Sequence, residues 1–300
     1  MESRSLQPLL LVVNPVAGRC LGKKYLADIV SALTERGFLM TVYVSKARGD
    51  SARFVTEHGR SFCRIVCVGG DGTLNETVTG MLTGGIDVPL GYIPAGSTNV
   101  FADSHHLSER PVRAAADAAA DRVLFFDAGQ FSDRYFAYVA AFGLFSCLSF
   151  TTPQTLKNRL GHTAYLLDGL RDLAQIHPAH VRITAGGIVH EGDYLFGAVC
   201  NATSLARTFE FPAGTVDMSD GQFEVILIRV PETALELQET VAALRTQNYA
   251  ASRLIDFFHA ENLRAECSPA LEWTLDGEPA SGRSEIDIRC LPLALRLVCP

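Results

Sequence analysis

Hydrophobic residues in the first 125 positions follow two alternating rhythms. Short, largely apolar runs at 9–13, 39–44, 64–68 and 90–93 end in turn residues and read as strands. Between them, residues 21–36, 50–59 and 74–82 space their apolar side chains three and four apart, the mark of amphipathic helices. Strand and helix in alternation predict a parallel sheet covered on both faces. From about residue 123 the rhythm becomes one of short alternating runs, at 134–140, 181–184, 194–200, 223–230 and 286–290, which read as antiparallel strands. Two helical stretches, 155–176 and 232–247, interrupt them. The expected fold class is α/β: a doubly wound parallel-sheet domain over residues 1–125, then a β-rich sandwich domain over 126–300 whose last strand is free to return to the first.

Composition narrows the function. The 300 residues, 48% of them hydrophobic, suffice for a sizeable core. The run at 9–13 is followed at once by Asn14 and Pro15, so it reads as a strand and not a signal peptide. The apolar stretch at 135–145 is about half of the ~20 residues a spanning helix needs. These features lead us to expect a cytoplasmic protein that meets a membrane only transiently. A net charge of −7 argues against nucleic acid as a partner. The eight cysteines form no CxxC pair, and Cys63 and Cys67 sit in a strand pattern, so reduced structural thiols are expected. The adjacent His105 and His106 cannot share a helix face and read as surface or cap residues.

Candidate chemistry gathers at strand ends. Three glycine-rich loops follow the first, third and fourth predicted strands: Asn14-Pro15-Val16-Ala17-Gly18, then Gly69-Gly70-Asp71-Gly72-Thr73, then Pro94-Ala95-Gly96-Ser97-Thr98-Asn99. That edge is where parallel sheets bind ligands. Small residues let phosphate oxygens approach the backbone and let amides turn inward as an anion nest. Asp71 places a carboxylate where a phosphate-bound Mg2+ needs one; the plainer alternative is a tight turn with Asp71 as a helix cap. Residues 18–24 imitate a Walker A loop, but they have three residues between the glycines instead of four and Lys24 where a hydroxyl belongs. That reading is rejected, and Lys23 and Lys24 are taken to begin a solvated helix face. Ser97, Thr98 and Asn99 also suit an ordinary helix cap.

Downstream, Asp276 and Glu278 flank Gly277. Glu278 is either placed to take the proton of an attacking hydroxyl or part of a solvent-facing turn. Asp217, Asp220 and Gln222 surround a glycine before a predicted strand. This is an acidic turn that suits either a hard cation or a hairpin, without the EF-hand pattern.

Taken in order, VVNPVAG, VCVGGDGTLNE, IPAGSTN, FFDAGQF, KNRLGHTAY, DMSDGQFEV and TLDGEP resemble the diacylglycerol kinase catalytic family, in its branch of bacterial lipid kinases, and the resemblance runs almost end to end. It implies an architecture shared with NAD kinases and phosphofructokinases. It further implies ATP held by Asn14, Pro15, Gly18, Ser45, Gly69, Gly70, Asp71, Gly72, Thr73, Asn75, Glu76, Gly96 and Ser97. By the same resemblance Glu278 is the general base, Asp127 assists it, and a structural Mg2+ sits at Asp217, Asp220 and Gln222. One departure stands out: many members follow the third-loop asparagine with aspartate, whereas here Asn99 precedes Val100.

The reaction so implied is phosphorylation of a lipid hydroxyl at the membrane surface. Phe142, Leu144, Phe145 and Phe150 either line a groove for acyl chains or are plain core residues, and Lys157, Arg159 and Arg171 either dock headgroups or form a solvated helix face. A homodimer is compatible with the chain. Two other readings stay open: an NAD kinase or other small-molecule kinase, and a non-catalytic lipid- or nucleotide-binding regulator, the latter prompted by Val100.

Overall fold

β1 (Gln7–Val13) buries Leu9, Leu10, Leu11 and Val12 completely, with no polar alternation, as a strand covered on both faces must. The computed structural model describes residues 6–143, 178–205, 209–212 and 214–300. These form two compact units. One is built from the first 128 residues with 134–137 and 291–300, the other from 129–133 and 138–290.

In the first unit β1 is followed by α1 (Leu21–Lys24), α2 (Leu26–Glu35), β2 (Phe38–Val44), α3 (Asp50–His58), β3 (Arg64–Gly69), α4 (Asp71–Gly84), β4 (Leu90–Pro94), α5 (Val100–Ser104) and α6 (Pro111–Ala118). All pairings among these strands are parallel, in the order β4-β3-β1-β2. β5 (Val123–Phe131) and β6 (Arg134–Phe136) follow. The chain's last strand comes back to this unit, with Leu297 parallel to Leu90. One core cluster joins Leu9, Leu11, Val13, Ile29, Leu33, Val66, Val68 and Ile93 to the alanines of α6.

Several expected boundaries move. The single helix expected at 21–36 is two, because Tyr25 leaves helical geometry (φ −106°, ψ 14°). α4 starts at Asp71, inside the glycine run, three residues before its apolar pattern begins. α6 has no counterpart in the sequence reading, although its buried residues Ala114, Ala115 and Ala118 fall on one face. Its start is marked by Pro111 at the first helical position, where no amide is needed.

The second unit contains β7 (Val139–Gly143), β8 (Ala179–Ala185), β9 (Ile188–Cys200), β10 (Ser204–Leu205), β11 (Phe209–Glu210), β12 (Phe223–Arg229), α7 (Ala234–Arg245), β13 (Ile255–Ala260), β14 (Asn262–Cys267), β15 (Trp273–Leu275), β16 (Glu278–Ala280) and the start of β17 (Glu285–Val298). It is β-rich and its ladders are antiparallel. The long β9 organises it, pairing with β8 through its first half and with both β7 and β12 through its second. The expected strand at 134–140 is in fact β6 and the start of β7, which fall in different units. α7 opens with a complete capping box between Thr233 and Glu236.

Packing decides two side-chain positions that the sequence left open. Phe142 takes the core alternative: it is fully buried, its ring centroid lies 4.7 Å from that of Trp273, and it packs where a Cβ on Gly197 would collide with it. His105 takes the cap alternative, closing α5, and its ring sits 4.2 Å from both the Phe101 and Phe126 rings. Burial among them, with some help from His106, pushes its pKa down from 6.5 to about 3. The folded state therefore holds a neutral imidazole that the unfolded chain protonates below pH 6.5, and stability falls as pH drops through that window. Thermal midpoints measured between pH 7 and 5 are expected to fall less steeply in His105→Phe than in the wild type. Parallel curves would remove His105 as the cause.

Candidate active site

The glycine loops lie at the carboxyl ends of β1, β3 and β4, which register side by side: Val13 opposite Val68, Gly69 opposite Pro94. Their backbones touch. A Cβ on Gly96 would stand 2.5 Å from the Gly70 Cα, and one on Gly18 would stand 2.5 Å from the Ala95 carbonyl oxygen. Gly18 also has φ of +52°, which disfavours a side chain on conformational grounds alone. A Cβ on Gly69 would meet the Thr73 hydroxyl at 2.4 Å, so Gly69 is what lets the first turn of α4 fold back over its own strand. The three loops therefore form one continuous surface of small residues and backbone amides, with the Ser97 side chain exposed on it.

Polar side chains tie this surface together. Asn14 Nδ2 donates to the Thr73 hydroxyl at 3.0 Å, and Asn14 Oδ1 accepts from the Val16 amide, joining the first and second loops. Asn99 Oδ1 accepts from the Gly96 amide at 2.9 Å and shapes the third. Asp71 caps a helix, as the plainer alternative had it, but a different one from its own. Its two carboxylate oxygens accept from the Val100 and Phe101 amides, at 3.1 and 3.3 Å, at the start of α5. Asn75 Nδ2 donates to the Tyr135 carbonyl. Glu76 faces away from the loops and accepts from the Gly49 and Ser51 amides. Ser45 continues the row beyond β2, held by its amide to the Val13 carbonyl at 2.9 Å. Asp127, also in this unit, is fully buried, with Oδ1 accepting from the Leu293 amide at 2.7 Å.

In the second unit the DGE segment forms a two-residue hairpin. Leu275 pairs with Glu278, and the intervening Asp276 and Gly277 both have positive φ (50° and 82°), the type I′ geometry that Asp-Gly favours. Asp276 is buried, and its Oδ1 accepts from the Tyr138 and Val139 amides at 2.9 and 3.0 Å. That clamp fixes where Glu278, half-buried at the start of β16, is presented. The sequence reading treated Asp276 only as a second carboxylate; the Asp-Gly pair was the signal for its structural task. At the acidic turn, Asp217 Oδ1 accepts from the Ser219 amide and hydroxyl, and Asp220 Oδ1 from the Gln222 amide. Each aspartate keeps its second oxygen clear of these turn contacts. Among the described residues no three His, Cys, Asp or Glu side chains gather as a metal cluster.

Comparison with known proteins settles the family. Residues 8–131 match the profile described as the diacylglycerol kinase catalytic domain, and residues 148–299 match the YegS carboxy-terminal NAD kinase β-sandwich-like domain. A Pseudomonas aeruginosa protein named "probable lipid kinase YegS-like" is 30% identical over 97% of this chain and 94% of its own. The chain belongs to the diacylglycerol kinase catalytic family. A diacylglycerol kinase of Bacillus subtilis is 29% identical over 89% of this chain and 88% of its own. The fold agrees with that of a Bacillus anthracis diacylglycerol kinase crystal structure, with a TM-score of 0.74 at 20% identity over 99% of this chain and 98% of that one.

Within this family of lipid kinases the departure at Val100 acquires a structural description. Val100 is buried (3% exposed) and contributes its amide to Asp71. The KNRLGHTAY motif, the helix expected at 155–176, and Leu144, Phe145, Phe150, Lys157, Arg159 and Arg171 lie outside the described residues.

Proposed function

We propose that this family member transfers the γ-phosphoryl group of ATP to a hydroxyl of a membrane lipid. The observation that carries the reading is the direct backbone contact among the three glycine loops. It leaves glycines at the points where the loops meet, so that a polyphosphate would lie against small residues and amides. The names of its relatives favour diacylglycerol or a related lipid over NAD as acceptor. Among the described residues no helix is long and apolar enough to cross a membrane, which suits a substrate met at the membrane surface.

In this reading Asn14, Pro15, Gly18, Ser45, the 69–73 turn, Gly96 and Ser97 seat the nucleotide, and Asp71 and Asn75 act at one remove by holding α5 and β6 against it. Glu278 takes the proton of the acceptor hydroxyl as the oxygen attacks phosphorus. Asp127 is buried and bound to backbone, so it serves as a positioning residue. Mg2+ bound with ATP would supply charge neutralisation at the phosphates. For a structural Mg2+, Asp217, Asp220 and Gln222 would supply carboxylate, amide and carbonyl oxygens, the hard donors that the ion requires.

Radiolabelled ATP should be offered with diacylglycerol, monoacylglycerol, sphingosine and NAD, with and without Mg2+. Mg2+-dependent label on a lipid is expected. Label on NAD alone would overturn the lipid assignment, and ATP bound without transfer to any acceptor would leave the regulator reading in its place.

A further inference from the structure

Glu76 closes the run GGDGTLNE, yet among the described residues its carboxylate bonds to amides outside the glycine loops. Oε1 accepts from the Gly49 amide at 2.6 Å and Oε2 from the Ser51 amide at 3.2 Å. These are the leading amides of α3, and α3 has no cap of its own. Its N-cap residue is Gly49, at φ +79°, which carries no side chain. The partial positive charge of a helix start is thus met by a carboxylate from a different helix.

The surrounding geometry gives this cap a purpose. Glu76, Gly80 and Gly84 follow one another at four-residue intervals and line one face of α4. α3 lies on that face at very short range. A Cβ on Gly80 would come within 2.5 Å of the Ala52 carbonyl oxygen, and one on Gly84 within 3.3 Å of the Thr56 Cα. The Thr56 hydroxyl donates to the Gly80 carbonyl, and Arg60 to the Gly84 carbonyl. Immediately before α3 runs the segment 45–49, which begins with Ser45, tied to the Val13 carbonyl, and is closed by the Lys46 amide donating to Asp50 at the start of α3. The bond from Glu76 is what connects this segment to the helix that grows out of the glycine turn.

We infer that Glu76 is a positioning residue for the nucleotide. It acts without touching the nucleotide, by fixing the segment around Ser45 to α4 so that the β2 end and the glycine turn present one surface. The inference rests on the proposed use of ATP. It would make the last residue of the motif a brace and not a ligand.

The test measures ATP affinity without lipid, together with kcat and KM for ATP, for Glu76→Ala, Glu76→Gln and, as a comparison, Arg60→Ala at the far end of the same helix pair. Because two charge-assisted bonds are removed, Glu76→Ala is expected to raise both Kd and KM for ATP by about tenfold while kcat changes by less than about twofold. Glu76→Gln, which keeps one acceptor oxygen, should recover part of the loss. It also decides the matter should the alanine variant fail to fold. Arg60→Ala should lower the thermal midpoint and leave ATP affinity unchanged. Unchanged Kd in both Glu76 variants, or a fall in kcat with Kd intact, would overturn the brace. Wild-type protein that binds no ATP would instead overturn the kinase reading itself.

Discussion

Glu278→Gln is expected to lower kcat by about 10²- to 10⁴-fold, the range that a general base contributes, while leaving ATP affinity unchanged. Glutamine keeps the shape of the side chain and an acceptor oxygen, so the hairpin that carries it should form as before. The hairpin is unusually well determined for a three-residue strand pair. Its turn uses an Asp-Gly pair that suits positive φ, Asp276 is held by two amides, and Trp273 of its first strand is fully buried against the rings of Phe131 and Phe142. A residue so placed loses little catalytic geometry when one oxygen becomes nitrogen, and what disappears is the capacity to take a proton. Steady-state rates in lipid–detergent micelles and separate ATP titration would divide the two effects. A kcat within about threefold of the wild type would exclude Glu278 as the base, and a parallel loss of ATP affinity would point to misfolding.

How far the fold was legible depended on whether the cause of each feature was local. The parallel sheet was readable because strands buried on both faces are unbroken apolar runs, as in β1 and β3. The loops were readable because glycine marks close approach wherever the approaching atoms come from. What they approach was not, since Gly96 meets Gly70 from 26 positions away. Caps supplied from a distance were equally hidden. Asp71 looked like a metal carboxylate or the cap of its own helix, yet it caps a helix about 30 residues later; Glu76 caps one about 25 residues earlier. His105 followed the same rule. Its neighbour in sequence suggested a surface or cap position; it is a cap, and its neighbours in space include Phe126, from a strand that had still to be paired. The break at Tyr25 is different in kind, because the apolar spacing continues straight through it and periodicity carries no mark of a lost turn.

Adding one methyl group to the third loop should disable nucleotide binding as thoroughly as any charge change. In Gly96→Ala the new Cβ would fall 2.5 Å from the Gly70 Cα and 2.7 Å from Asn99 Oδ1. Neither neighbour can yield cheaply. The first is backbone at the mouth of the glycine turn, and the second already accepts from the Gly96 amide and lies 3.5 Å from the Tyr92 hydroxyl. Relief therefore requires the second and third loops to part. Overpacking of this kind costs about 1–3 kcal/mol, or roughly 5- to 150-fold in ATP affinity if the strain is released by opening the phosphate surface. Gly18→Ala should behave alike, because it combines a 2.5 Å clash on the Ala95 carbonyl with positive φ. Gly70→Ala is the discriminating companion: its Cβ would stand 3.1 Å from the Gly96 Cα, a contact that a shift of a few tenths of an ångström relieves, so its affinity should change by less than about fivefold. If all three variants bind ATP equally well, the touching loops are not the nucleotide surface. A graded loss, severe at Gly96 and Gly18 and mild at Gly70, would follow the distances between backbones and not the mere presence of glycine.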